Sequence, residues 1–140
     1  MNPNDLIHFC PPARLVMGCG TRAQLPALVQ RLGWRCGVLV TDTFFTQHTP
    51  WVAEYVAAAA ALGVHTVVFD GGLPDPTSTL CDEATRQLRA SLGEQPIDHV
   101  LALGGGSNID LAKALCLTLR SGRPVREFVG DIAGCQPLRR

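Results

Sequence analysis

Gly104-Gly105-Gly106-Ser107 stands between an apolar run, His99 to Leu103 (HVLAL), and a run with helical spacing, Ser107 to Arg120. Glycine loses more backbone freedom on folding than any other residue, so three in succession need a reason. One reason is chemical. A strand that turns through glycine into a helix leaves unpaired N–H groups and a partial positive charge at the helix start. Phosphate suits that place, and residues without side chains let it lie against the backbone. The competing reason is a tight turn with no ligand, for which two glycines suffice. Ser107 is placed to act as N-cap, and Asp110 would complete an S-x-x-D box with it. Such a cap contributes about 1 kcal/mol. The loop is not a P-loop, because G-x-x-x-x-G-K-[ST] is absent. It also lacks the last glycine of G-x-G-x-x-G, and it follows a late strand rather than the first.

Other polar residues carry weaker signals. Lys113 lies about 9 Å along the helix from Ser107 at ~1.5 Å per residue, so its easiest partner is Asp110, three residues back, with phosphate contact as the alternative. Pro74-Asp75-Pro76-Thr77 reads as a turn followed by a helix capped by Thr77. His8, His48, His65 and His99 are scattered singly, with no H-x-x-x-H spacing. His65 and His99 sit in apolar runs and are expected to be structural residues with their hydrogen bonds satisfied. No catalytic residue and no metal ligand is assigned.

The elements that must position the glycine loop follow from periodicity. Ile7 to Cys10 and Arg14 to Met17 flank Pro11-Pro12 and suggest two short extended segments. Thr21 to Leu32 has helical spacing and stops at Gly33, with Pro26 in its first turn, where a missing N–H is harmless. Gly37 to Thr41 (GVLVT) is a continuous apolar run of the kind buried on both faces. An alanine-rich helix follows over Pro50 to Leu62, then a strand over Val64 to Phe69 and a helix over Thr77 to Leu92. The third strand is His99 to Leu103 and the last helix Ser107 to Arg120. Apolar strands alternating with helices predict an α/β fold, a Rossmann-like parallel sheet with helices on both faces. The closing stretch, FVGDIAGCQPLRR, is read as the approach to a further strand.

Composition narrows the function classes. The 140 residues are 46% hydrophobic, enough for one core. Twelve basic and twelve acidic residues cancel, so no electrostatic footprint for nucleic acid or an anionic membrane is expected. The six cysteines form no C-x-x-C pair. Cys36 and Cys116 lie in apolar runs, where buried thiols are common. The apolar stretch Val56 to Leu62 is too short to span a membrane, and no signal-peptide pattern opens the chain. A cytoplasmic location with reduced thiols is expected.

GGGSNIDLAKA, residues 104 to 114, resembles the GGGS-x-x-D-x-AK signature of iron-containing (group III) alcohol dehydrogenases, which share the dehydroquinate synthase-like fold. VMGCGTRAQLPALVQRLG (16 to 33), GVLVTDTFF (37 to 45) and FDGGLPDPTSTL (69 to 80) resemble the family's opening glycine turn, its strand ending in Thr-Asp and its Pro-x-Pro-Thr loop, in order. The resemblance covers roughly residues 6 to 134. It implies an amino-terminal domain that binds a nicotinamide dinucleotide, while a helical half elsewhere holds a divalent metal, often iron. Gly104, Gly105, Gly106 and Ser107 would then hold the pyrophosphate. Asp42 would contact the adenosine ribose and repel a 2′-phosphate, which favours NAD over NADP; its alternative role is a turn residue or helix cap. Asp75 would line the adenine side of the cleft, or belong only to its turn. Asn108 stands where the family frequently has proline, and the family's T-T-x-G-T-G-S-E segment has no counterpart. The expected domain is residues 1–140, a dinucleotide-binding domain incomplete at its C-terminal end. By itself it is expected to turn over no substrate and to expose apolar surface that invites association. The alternatives are a non-catalytic nucleotide-binding module or remnant, and part of a glycerol dehydrogenase or dehydroquinate synthase-like enzyme.

Overall fold

The computed structural model describes residues 16–128, so the predicted segment Ile7 to Cys10 and nearly all of FVGDIAGCQPLRR lie outside the described residues. A short 3-10 turn, Thr21–Gln24, leads into α1 (Leu25–Arg31). The predicted helix is divided here because Pro26 lies in the first turn of α1, where its ring is tolerated but cannot donate to the preceding turn. Then come β1 (Cys36–Val40), α2 (Thr43–His48), α3 (Trp51–Ala61), β2 (His65–Phe69), α4 (Ser78–Leu92), β3 (His99–Ala102) and α5 (Gly106–Ser121).

The three strands form one parallel sheet in the order β2-β1-β3. All five residues of the central β1 are buried, as its unbroken apolar run predicts. Val38 and Val40 pack with Leu88, Leu111 and Leu115 from α4 and α5. Leu39 turns to the other face and packs with Val29, Val52, Tyr55 and Ala59 from α1 and α3. Helices thus cover both faces. Full burial of one such aliphatic side chain contributes about 1.5–3 kcal/mol, and this double layer holds the strand ends in place.

Two helix starts follow their sequence signals. Thr77 caps α4, its Oγ1 accepting from the Leu80 N–H at 3.1 Å. Asp42 caps α2, a helix the apolar periodicity does not announce, with Oδ1 accepting from the Phe44 N–H at 3.0 Å. Proline at position 50 ends α2, because the residue before it, Thr49, is forced into an extended conformation.

Two expectations fail. Cys116 is exposed, because the buried stripe of α5 runs through Leu111, Leu115, Thr118 and Leu119 and leaves position 116 at its rim; Cys36 is buried as expected. His99 is only 6% exposed, yet among the described residues neither ring nitrogen has a hydrogen-bond partner. Its ring is held by stacking instead. It lies on Trp34 with centroids 5.1 Å apart, and against Gly37, its partner on β1. Burial pushes its pKa down from 6.5, partly opposed by Asp98. Asp98 itself is held below the usual carboxylate range by the N–H groups of Arg35 and Cys36, at 2.6 and 3.0 Å.

Candidate functional site: the carboxyl ends of β1 and β3

The chain leaves β1 towards β2 on one side, then returns across β1 to form β3 on the other. That reversal opens a crevice at the carboxyl ends of β1 and β3, where open α/β sheets take their ligands. Four segments meet there: Thr41-Asp42 after β1, Gly71 to Asp75 after β2, Gly104 to Gly106 after β3, and the first turn of α5. Thr41 is fully buried and ties the ends together. Its N–H donates to Phe69 O at 2.8 Å, its Oγ1 to Leu103 O at 2.9 Å, and its own carbonyl accepts from Gly72 N–H at 2.9 Å.

The three glycines do different work. Gly104 has φ +138, a conformation side chains rarely adopt, and a Cβ there would collide with the Asn108 carboxamide. The fold alone therefore requires it. Gly105 has an ordinary extended backbone, φ −86 and ψ −167, and a Cβ on it would meet nothing within 4 Å. A Cβ on Gly106 would also meet nothing within 4 Å. Both are exposed. Nothing among the described residues comes near enough to demand glycine at these two positions, whereas a ligand lying on the loop would.

The helix start differs from the sequence expectation. Gly105, not Ser107, is the N-cap of α5, and no side chain caps it. The helix begins one residue earlier than predicted because Gly106 enters its first turn. The S-x-x-D box therefore does not form. Asp110 pairs instead with Lys113 at 3.0 Å on the exposed face, as the i, i+3 spacing predicts. The first backbone bond into the helix runs from Ile109 N–H to Gly105 O at 3.2 Å, so the N–H groups of Gly106, Ser107 and Asn108 precede it. They stand at the positive end of a 16-residue helix. Ser107 Oγ accepts from Asp75 N–H at 3.3 Å and keeps its own hydroxyl proton to donate. Asp75 has φ +49, a left-handed conformation that aspartate tolerates, and this turn brings the 71–76 loop over the helix start.

Asp42 sits across the crevice. Oδ1 caps α2, and Oδ2 accepts from Asn108 Nδ2 at 2.7 Å. The capping role is thus present, and the carboxylate still has unused acceptor capacity. Asn108, Thr41 and Gly72 were not singled out as site residues in the sequence. Asn108 is marked in the sequence only as a departure from proline, and the third loop by Asp75 and its Pro-x-Pro-Thr turn.

The residues brought together are therefore Asp42, Gly104, Gly105, Gly106 and Ser107, with Asp75 at the rim. The arrangement offers backbone donors and a helix dipole for an anion, and a carboxylate for hydroxyl groups. No group of three or more His, Cys, Asp or Glu side chains among the described residues could hold a metal ion. No helix among them is long and apolar enough to cross a membrane. A cavity of about 670 Å³ lies at the opposite end of the sheet, around Asp98, Arg89 and Arg120. Helix ends, not a helix start, border it, and the glycine loop lies elsewhere, so size alone does not make it the site.

Known proteins resemble this chain in sequence and fold. The family profile described as iron-containing alcohol dehydrogenase matches residues 12–138. The chain is 28% identical to the NAD-dependent methanol dehydrogenase of Bacillus methanolicus, over 87% of this chain and 30% of that protein. It is 30% identical to the lactaldehyde reductase of Escherichia coli K12, over 86% of this chain and 30% of that protein. Among solved structures, an archaeal alcohol dehydrogenase from a Red Sea brine pool superposes with a TM-score of 0.75 at 25% identity, covering 96% of this chain and 34% of the other. The chain thus spans about a third of the length of these relatives.

Proposed function

The chain belongs to the iron-containing alcohol dehydrogenase family, and we propose that it is the NAD-binding part of a metal-dependent oxidoreductase acting on an alcohol/aldehyde pair. Gly105 and Gly106 carry this reading, two glycines beside which the described residues leave open space where side chains would be. The pyrophosphate lies on that surface, against the N–H groups that open α5, with the Ser107 hydroxyl as a further donor. Asp42 accepts from the adenosine ribose hydroxyls and disfavours a 2′-phosphate by charge. Bound NAD supplies the hydride chemistry, and these residues hold and orient it. The name of the Bacillus methanolicus relative, an NAD-dependent enzyme, supports the choice of dinucleotide.

The divalent metal, iron by family, has no fitting ligand set among the described residues, so its ligands are proposed to come from outside them. The 140-residue chain by itself is proposed to bind NAD without turning over an alcohol. The test is calorimetric titration of this chain with NAD, repeated on a folded Gly105→Val variant. Binding by the parent and loss in the variant supports the reading; equal binding by both overturns it.

A further inference from the structure

We propose that Asn108 is a positioning residue for dinucleotide selection, holding the Asp42 carboxylate in the one orientation that accepts a ribose diol and rejects a 2′-phosphate. The proposal rests on the reading of Asp42 as the ribose partner and deepens it.

Asn108 is only 4% exposed although it lies in the first turn of α5. Its Nδ2 has two protons, and both are used, one on Asp42 Oδ2 at 2.7 Å and one on Leu103 O at 3.0 Å. The side chain cannot swing away. A Cβ on Gly72 would strike its Oδ1, and a Cβ on Gly104 would strike its Nδ2, so it fills a slot between two backbone segments. Both glycines leave room for this side chain, though the backbone also requires glycine at 104 by its φ of +138, and a Cβ on Gly72 would meet Thr41 O as well.

The consequence falls on Asp42. Its Oδ1 is tethered to Phe44 N–H at 3.0 Å and its Oδ2 to Asn108, so neither oxygen can turn. An ionised carboxylate accepts about four hydrogen bonds, and two are committed to the chain. What remains is about one acceptor position on each oxygen, which matches two neighbouring hydroxyl donors. A 2′-phosphate would meet a negative group unable to rotate aside, and like charges in contact disfavour binding. With the tether to Asn108 removed, the carboxylate is held on one oxygen only and can turn from the phosphate. The tether also spans 66 residues of sequence, so it fixes the ribose partner in register with the glycine loop.

The experiment measures the ratio of NADP to NAD dissociation constants by calorimetry on the 140-residue chain, for the parent, Asp42→Ala, Asn108→Leu and Asn108→Ala. Leucine approximates the shape of asparagine without a donor; alanine fits the slot without collision and carries the test if the leucine variant fails to fold. The parent is expected to prefer NAD. Asp42→Ala should collapse the ratio, and the Asn108 variants should reduce it by about tenfold, the effect of losing one charge-assisted hydrogen bond. A merely structural role would weaken both dinucleotides in parallel and leave the ratio at the parent value. That result in the Asn108 variants, with the ratio collapsed in Asp42→Ala, overturns this proposal alone. An unchanged ratio in Asp42→Ala removes the ribose reading and the proposal with it.

Discussion

Replacing Gly104 by alanine should destabilise the chain strongly and replacing Gly105 hardly at all, although the two residues are adjacent. At Gly104 the backbone has φ +138, and the new Cβ would displace Asn108. Holding a side chain in such a conformation costs about 1–3 kcal/mol. Displacing Asn108 forfeits its bonds to Asp42 and Leu103, a further ~1–3 kcal/mol. Gly104→Ala is therefore expected to destabilise the chain by about 2–6 kcal/mol. At Gly105 the backbone is already in a region alanine adopts, and its Cβ would project into open space. Reduced freedom of the unfolded chain stabilises by about 0.4–1 kcal/mol, and the poorer N-cap offsets roughly the same amount. The net change should lie within about 1 kcal/mol of zero. Urea unfolding followed by circular dichroism measures both. Equal destabilisation by the two substitutions would refute the claim that only Gly104 is required by the fold. It would also remove the reason for placing a ligand on Gly105.

Burial of His99 makes stability depend on pH. Its folded pKa lies below 6.5, so the folded state favours the neutral ring. The stability this contributes is present above pH 6.5 and is lost as pH falls towards the depressed value, by at most about 1.4 kcal/mol per pH unit. Unfolding free energy measured from pH 7.5 to 5 should fall in the parent and fall less in His99→Phe; parallel profiles would contradict the assignment. Asp98 is separable, because its depressed pKa places its loss of stability below the ordinary carboxylate value of 3.8. Lys113→Met removes an exposed ion pair on the far face of α5. Neither NAD affinity nor thermal midpoint should change by more than the error of calorimetry, and a marked loss of affinity would place Lys113 on the phosphate.

What the sequence made legible was local. The unbroken apolar run of β1, the spacing within α4 and α5, and the cap at Thr77 each depend on residues within a few positions of one another. The glycine loop was legible for the same reason, since glycines between a strand and a helix signal a close approach wherever they occur. Asn108 was not legible as a site residue. A polar residue in a helical run ordinarily faces solvent, and its bond to Asp42 joins positions 66 apart. Ser107 looked like the N-cap because serine prefers that place, but Gly106 allowed the helix to start earlier, and the serine hydroxyl went to Asp75 instead. The unsatisfied ring of His99 could not be foreseen either, because its stacking partner Trp34 and the slot above Gly37 exist only once the sheet has formed.

The central claim is that a dinucleotide lies on the start of α5 at the carboxyl ends of β1 and β3. Amide chemical-shift mapping of the 15N-labelled chain during titration with NAD tests it most directly. The largest shifts should fall on Gly104, Gly105, Gly106, Ser107 and Asp42. Shifts confined to the opposite end of the sheet, around Gln95, Asp98 and His99 beside the 670 Å³ cavity, would contradict it.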